Sequence, residues 1–170
     1  MLISELFADK LAKPSEKVIM LAEAIIDGSI HIIDVISFAI TSKEPIKASC
    51  IEAMEHATLK KPELATWECL EFATRSLADK APRVKWESAR LIANIAHLFP
   101  NQLEEASMNL LQNTEHPGTV VRWSAATALS AILKLKTGLN ADLIPAIQSL
   151  AEKEEKNSIK KIYFSALKKK

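Results

Sequence analysis

The segment that decides the fold is Val121-Arg122-Trp123-Ser124-Ala125-Ala126-Thr127-Ala128-Leu129. Two other segments line up with it without gaps, Ile46-Lys47-Ala48-Ser49-Cys50-Ile51-Glu52-Ala53-Met54 and Val84-Lys85-Trp86-Glu87-Ser88-Ala89-Arg90-Leu91-Ile92. A shortened fourth copy starts at Ile159-Lys160-Lys161 and ends at Ala166-Leu167. The starting positions are 38, 37 and 38 residues apart, a register that marks a repeat architecture. Counting from the first residue, apolar or small side chains recur at offsets 0, 4, 5, 7, 8 and 11, as in Val121, Ala125, Ala126, Ala128, Leu129 and Ile132. That spacing paints one wide stripe on a helix of 3.6 residues per turn. Its alanines allow a neighbouring helix to approach closely.

Working outward, each copy follows another amphipathic stretch, at about 29–42, 63–78, 102–113 and 141–152. Gly28, Gly118 and Gly138 fall in turns, and Pro45, Pro62, Pro82 and Pro100 at helix starts or connections. Ser29, Asn101, Asn140 and Ser158 stand where N-caps are expected, and Glu104 follows Asn101 at capping-box spacing. Two further helices, about 2–12 and 14–27, bring the expected total to ten in five antiparallel pairs. The expected layout is one domain, 1–170: an N-terminal capping pair at 1–28, then repeats at 29–61, 62–100, 101–139 and 140–170.

Composition agrees with an all-α chain. Three glycines and one tyrosine among 170 residues are too few for a hairpin-rich β protein. A net charge of +1 gives no global electrostatic footprint for duplex nucleic acid. Cys50 and Cys69 lie inside apolar helical patterns and read as reduced core residues. The first ten residues show no signal-peptide pattern and no apolar run approaches a bilayer span, so the expected location is cytoplasmic, with no membrane contact.

These features resemble the HEAT-repeat family of armadillo-like α-solenoids. The second helix of a HEAT repeat commonly opens Val-Arg and runs through small residues to Ala-Leu, as Val121 to Leu129 does and Val84 to Ile92 nearly does. The first helix often carries a Leu-Leu-Pro-x-Leu-like core, matched by Leu143-Ile144-Pro145-Ala146-Ile147. The family favours an aspartate five residues before the valine. Asp79 and Glu154 fit that pattern, whereas Thr41 and His116 depart from it. The resemblance covers about 29–170 and implies a right-handed α-α superhelix. It is specific for fold and uninformative about partner, because such arrays host many binding roles.

Lys47, Lys85, Arg122 and Lys160 share one position in successive repeats and should stack as a column. One reading is a track for phosphates or an acidic partner. The other, implied by the resemblance, is pairing with the acidic residue of the inter-helix turn, which stitches repeats together. Trp86 and Trp123 come next in each repeat, off the apolar stripe, and are expected on the concave face on the order of 10 Å apart. Arg90 and Asn94 lie below Trp86, and Thr127 and Ser130 below Trp123. Tryptophan beside a cation suits a binding hot spot. Equally, the rings can cover the column cations and pack across repeats. Trp67 lies between Leu64 and Leu70 on a stripe and is expected in the core.

No catalytic motif stands out. His31, His56, His97 and His116 share no metal-ligand spacing, and there is no phosphate-binding glycine loop, Ser/His/Asp signature or HExxH. The concave aromatics bear a thin resemblance to HEAT-like DNA glycosylases of the alkylation-repair family, which hold a damaged nucleotide with tryptophans and a carboxylate. Here the i+4 neighbours of the tryptophans are Arg90 and Thr127, not acids. The expectation is therefore a non-enzymatic scaffold, without cofactor or metal. It would grip a protein or peptide through Trp86, Trp123, Lys85, Arg122, Arg90, Asn94 and Thr127, with nucleic acid as the alternative partner. The basic tail Lys168-Lys169-Lys170 reads as a solvated terminus.

Overall fold

The structure, a computed structural model, describes residues 1–168. Lys169 and Lys170, the end of the basic tail, lie outside the described residues. Ten α-helices and two short 3₁₀ turns account for the regular structure of the described residues. The helices are α1 (Ile3–Ala8), α2 (Pro14–Asp27), α3 (Ile32–Thr41), α4 (Glu44–Lys60), α5 (Trp67–Ser76), α6 (Pro82–Ile95), α7 (Glu104–Asn113), α8 (Thr119–Leu133), α9 (Asn140–Lys153) and α10 (Asn157–Lys168). Each odd-numbered helix from α3 onward packs on the even-numbered helix that follows it.

The predicted stripe is the core. Offsets 0, 4, 5, 7, 8 and 11 of α8 are all buried, and so are the same offsets of α6; in α4 they are buried except at offset 0, where Ile46 is half-buried against the core. The alanines in those columns bring backbones together. α2, α4, α6, α8 and α10 pack successively on one another, while the odd-numbered helices touch their counterparts sparsely. A layer whose members lie closer together is the inside of a curve. The even-numbered helices therefore form the concave wall, and their side chains that point away from the stripe face the groove.

Proline and glycine act where the backbone needs them. Pro14 and Pro82 open α2 and α6, and Pro45 sits in the first turn of α4, where a missing N–H costs nothing. Gly28 takes the left-handed conformation (φ 83°) that ends α2, and Ile30 N–H then reaches back to the Ala24 carbonyl at 3.0 Å.

The expected N-caps are corrected. Ser29 donates to the Ala24 carbonyl and so seals the end of α2, and α3 begins three residues later, after His31. Asn101 precedes α7 by three residues, because the 3₁₀ turn Ala96–Leu98 and the turns after it delay the helix until Glu104. Asn140 is already helical and its amide donates to the Leu133 carbonyl at 3.0 Å, closing α8 instead of opening α9. Ser158 lies inside α10.

Trp67 is also corrected. Residues 62–66 form a 3₁₀ turn and an extended link, so the helix expected from residue 63 starts at Trp67 itself. At the first helical position the ring is 43% exposed and rests edge-on against Phe99, centroids 6.4 Å apart.

Close packing across the alanine columns has a direct consequence for stability. Ala89 is 1% exposed on the stripe of α6, where a longer side chain has no space. Ala89→Leu is expected to destabilise the fold by about 1–3 kcal/mol through overpacking. Equilibrium urea unfolding measures this, and an unchanged midpoint would contradict the close approach.

Candidate functional site

Building the inner wall from its residues separates three groups that the sequence had joined. The first is the cationic column. Lys47 Nζ lies 3.0 Å from Asp79 Oδ2 and 5.8 Å from the centre of the Phe72 ring. Burial works to raise the Asp79 carboxyl. The Ala81 N–H and the Lys47 ammonium outweigh it and hold the pKa below the usual range. Arg122 grips Glu154 with two bonds, Nε to Oε2 at 3.1 Å and Nη2 to Oε1 at 3.3 Å. Its Nη1 donates to the carbonyls of His116 and Pro117. Glu154 is likewise depressed against the opposing effect of burial, by Arg122 and the Lys156 N–H.

Where the acidic residue is replaced by His116, Asn113 substitutes. Lys85 Nζ donates to Asn113 Oδ1 at 3.1 Å and to the Leu77 carbonyl at 3.0 Å, and the Asn113 amide donates to that same carbonyl. Each of these three cations reaches from its own helix to the turn region of the next repeat. Lys85 and Arg122 thus point into the seams between repeats and not into the groove.

The second group is a carboxylate cluster between α4 and α6. Glu52, Glu55 and Glu87 converge there with Arg83, Arg90 and His56. Arg83 Nη2 meets Glu52 Oε2 at 2.6 Å, Arg90 Nη2 meets Glu55 Oε1 at 3.5 Å, and His56 Nε2 lies 3.5 Å from Glu55 Oε2. Asn94 donates to the Glu55 carbonyl and to Thr58 Oγ1, tying α6 to α4. Glu55 is 3% exposed and Glu87 4% exposed. Trp86 belongs to this group: it is half-buried, and its Nε1 donates to Glu87 Oε1 at 3.0 Å.

Burial pushes the Glu87 carboxyl up to about 7. The Trp86 N–H pulls it down, the charge of Glu52 adds to the rise, Arg90 opposes it, and Glu55 adds a little more. Glu87 Oε2 has no hydrogen-bond partner among the described residues.

The third group surrounds Trp123. This ring is 40% exposed and stands in an open groove of about 650 Å³. Thr127 and Ser130 of α8 and Lys134 just after its end line it, together with Lys161, Ile162 and Ser165 of α10 and Ala93 of α6. A groove that touches three successive even-numbered helices and no odd-numbered one lies on the concave wall. Thr127 Oγ1 is tied to the Trp123 carbonyl at 3.0 Å, so its methyl and hydroxyl orientations are fixed.

Trp86 and Trp123 therefore hold equivalent positions with unequal surroundings. The sequence reading missed Glu52, Glu55 and Glu87. One signal was available: at offset 3 the repeats carry Ser49, Glu87 and Ser124, so a carboxylate interrupts a column of small hydroxyls. It also missed Lys134 and Lys161, whose convergence depends on how α10 lies against α8. Cys50 and Cys69 are both buried free thiols, their pKa values raised to about 12 by burial, and take no part in the groove. Among the described residues no group of three or more His, Cys, Asp or Glu could hold a metal ion, and no helix is long and apolar enough to cross a membrane.

No family model and no curated protein matches the chain in sequence. Solved structures do match in fold. A designed armadillo repeat protein in complex with peptide (KR)4 superimposes with TM-score 0.78 at 17% identity, covering 98% of this chain and 79% of that one. Computationally designed armadillo repeat proteins for modular peptide recognition give 0.72 at 18%, with 98% and 79% covered. The complex of CpcE and CpcF of phycocyanin lyase from Nostoc sp. PCC7120 gives 0.71 at 13%, with 96% and 94% covered. At these identities the likeness is one of fold alone: the chain is a HEAT/armadillo-like α-solenoid.

Glu87 makes stability depend on pH in a defined window. The unfolded chain releases this proton near 4.5, whereas the folded state holds it to about 7. Between these values the folded state binds more protons, so stability falls as pH rises from 4.5 to 7 and then levels off. Glu87→Gln keeps the acceptor for Trp86 without the titration. Relative to wild type, the variant should gain on the order of 2–3 kcal/mol between pH 4.5 and pH 8. Urea unfolding across pH tests this, and parallel curves for the two proteins would refute the buried titration.

Proposed function

We propose that this protein is a non-enzymatic interaction scaffold that holds a peptide, or a segment of a partner protein, against its concave wall. The contact surface is centred on Trp123 and Trp86, with Arg90, Asn94 and Thr127 around them. The observation that carries this reading is Trp123 itself. An indole 40% exposed, in an open groove, has no aromatic or cationic partner among the described residues. Rigid aromatic surface of this kind dominates interface energetics, because it offers a large contact area at low entropic cost.

Lys85 and Arg122 contribute at one remove. They lock the seams that set the spacing of α6 and α8, and hence of the two tryptophans. Their engagement also weakens a nucleic-acid reading: a phosphate track along Lys47, Lys85 and Arg122 would have to break contacts at each rung. Armadillo repeat proteins of like fold that recognise peptides support a peptide over a nucleic acid as the occupant. We take residues 1–170 as a single unit with residues 1–28 as its capping pair. Two buried free thiols suit a reducing, cytoplasmic setting.

The two tryptophans should respond differently to substitution. Trp123→Ala is expected to abolish capture of the partner while the melting temperature stays within about 3 °C of wild type. Trp86→Ala removes the cover and hydrogen bond of Glu87 and should lower the melting temperature as well as capture. Affinity capture quantified alongside thermal melts checks both. Retention of the partner by the Trp123 variant would sink the assignment.

A further inference from the structure

The groove around Trp123 has a one-sided electrostatic character. Lys134 closes the end of α8, and Lys161 extends from the first turns of α10. Both are exposed, and neither forms an ion pair among the described residues. No Asp or Glu lines the same groove. The hydroxyls of Thr127, Ser130 and Ser165 add polar groups to the lining, and Ile162 adds apolar surface. One helix further along the wall the situation differs, because Arg83 and Arg90 beside Trp86 are already paired with Glu52 and Glu55.

We propose that the groove between α8 and α10 is a docking subsite for an acidic peptide segment, one that presents a carboxylate beside an aromatic or aliphatic side chain. The apolar side chain packs on the Trp123 indole and Ile162, while the carboxylate sits between the Lys134 and Lys161 ammonium groups. This rests on the concave-face reading above and specifies the chemistry of the occupant. The choice of a peptide over a nucleic-acid phosphate follows from extent. A phosphate backbone is a continuous line of charge, whereas the other cations along the wall are already engaged: Lys47, Lys85, Arg122, Arg83 and Arg90 each hold an acceptor of the protein. A peptide needs to place only one acidic residue at the two unpaired lysines.

Shared fold does not carry shared partner charge. The designed armadillo protein was solved with the basic peptide (KR)4, and the same peptide seated on Trp123 would bring like charges to Lys134 and Lys161. It is therefore the informative contrast.

The test is fluorescence anisotropy with four labelled probes. These are a short peptide alternating Glu with Phe and Leu, its Gln-for-Glu counterpart, (KR)4, and a thymidine oligonucleotide. Each is titrated against wild type, Lys134→Gln/Lys161→Gln, Lys134→Glu/Lys161→Glu and Trp123→Ala. The expected result is preferential binding of the acidic apolar peptide, weakened about tenfold or more by the double Gln variant and abolished by Trp123→Ala. Both lysines are exposed and unpaired, so melts should match wild type. The Gln variant guards against any disturbance that a glutamate causes at the C-terminal end of α8.

Equal binding of the Gln counterpart, still lost in Trp123→Ala, would overturn the acidic specificity and leave the concave-face reading standing. Preference for (KR)4 would overturn it in favour of the carboxylate cluster. Tight, steeply salt-dependent binding of the oligonucleotide would overturn it in favour of phosphate. Failure of every peptide at millimolar concentration would remove both the subsite and the peptide reading it rests on.

Discussion

Everything on the inner wall depends on how closely one even-numbered helix can lie on the next. Interaxial distance between packed helices is set by the side chains at the contact. Here those side chains are Ala48, Ala53 and Ala57 on α4, Ala89 on α6, and Ala125, Ala126 and Ala128 on α8, all but inaccessible to solvent. Close approach has two effects. It curves the array, because the odd-numbered layer is spaced more widely, and it brings the polar flanks of neighbouring helices within bonding distance. The contacts of Asn94 with α4, of Arg83 with Glu52 and of Arg90 with Glu55 exist only because α4 and α6 are that near.

The seams then fix the angle between repeats. A cation on one repeat reaches an acceptor in the turn region of the following repeat: Asp79 for Lys47, Asn113 for Lys85, Glu154 for Arg122. The acceptors vary in chemistry while the geometry is retained. Charge-assisted and bidentate, the Arg122–Glu154 contact is the strongest of the three in kind, since hydrogen bonds to ionised groups exceed neutral ones about twofold. Three of the four residues that look like a cationic track in the sequence, Lys47, Lys85 and Arg122, are thus consumed as internal fasteners. The surface charge of the groove is set by other residues altogether.

This explains which features were legible in the sequence. The solenoid was, because burial follows a strict period and a buried alanine column has no alternative reading. Val121, Ala125, Ala128 and Leu129 are buried for the reason their spacing implies. Pairing of the column with Asp79 and Glu154 was also visible, as one of two readings, through what the HEAT-repeat resemblance implies. Helix starts were less legible: Asn101 and Ser29 have the chemistry of caps, yet tertiary packing starts the helices after Leu103 and His31. Trp67 misled because a stripe continued across residues 63–66 presumes a continuous helix, and the 3₁₀ turn resets the phase. The groove itself was half legible. Trp123 and Thr127 follow from their own repeat, but Lys161 and Ser165 join them only through the crossing of α10 over α8.

The unequal fates of Trp86 and Trp123 show how a repeat array acquires a local site. Both occupy offset 2, and a pure repeat would give both the same environment. The residue at offset 3 breaks the symmetry. Ser124 is small and fully buried, so it leaves Trp123 without a side-chain anchor. Glu87 in the equivalent place accepts the Trp86 N–H and holds that ring against α6. The following even-numbered helix completes the difference, because α10 brings Lys161 into the groove of Trp123. A single substitution at offset 3 thus turns one indole into a lid over buried carboxylates and leaves the other open as a platform. In a solenoid, where each repeat feels only its neighbours, such a change alters one stretch of the groove without disturbing the register that holds the rest.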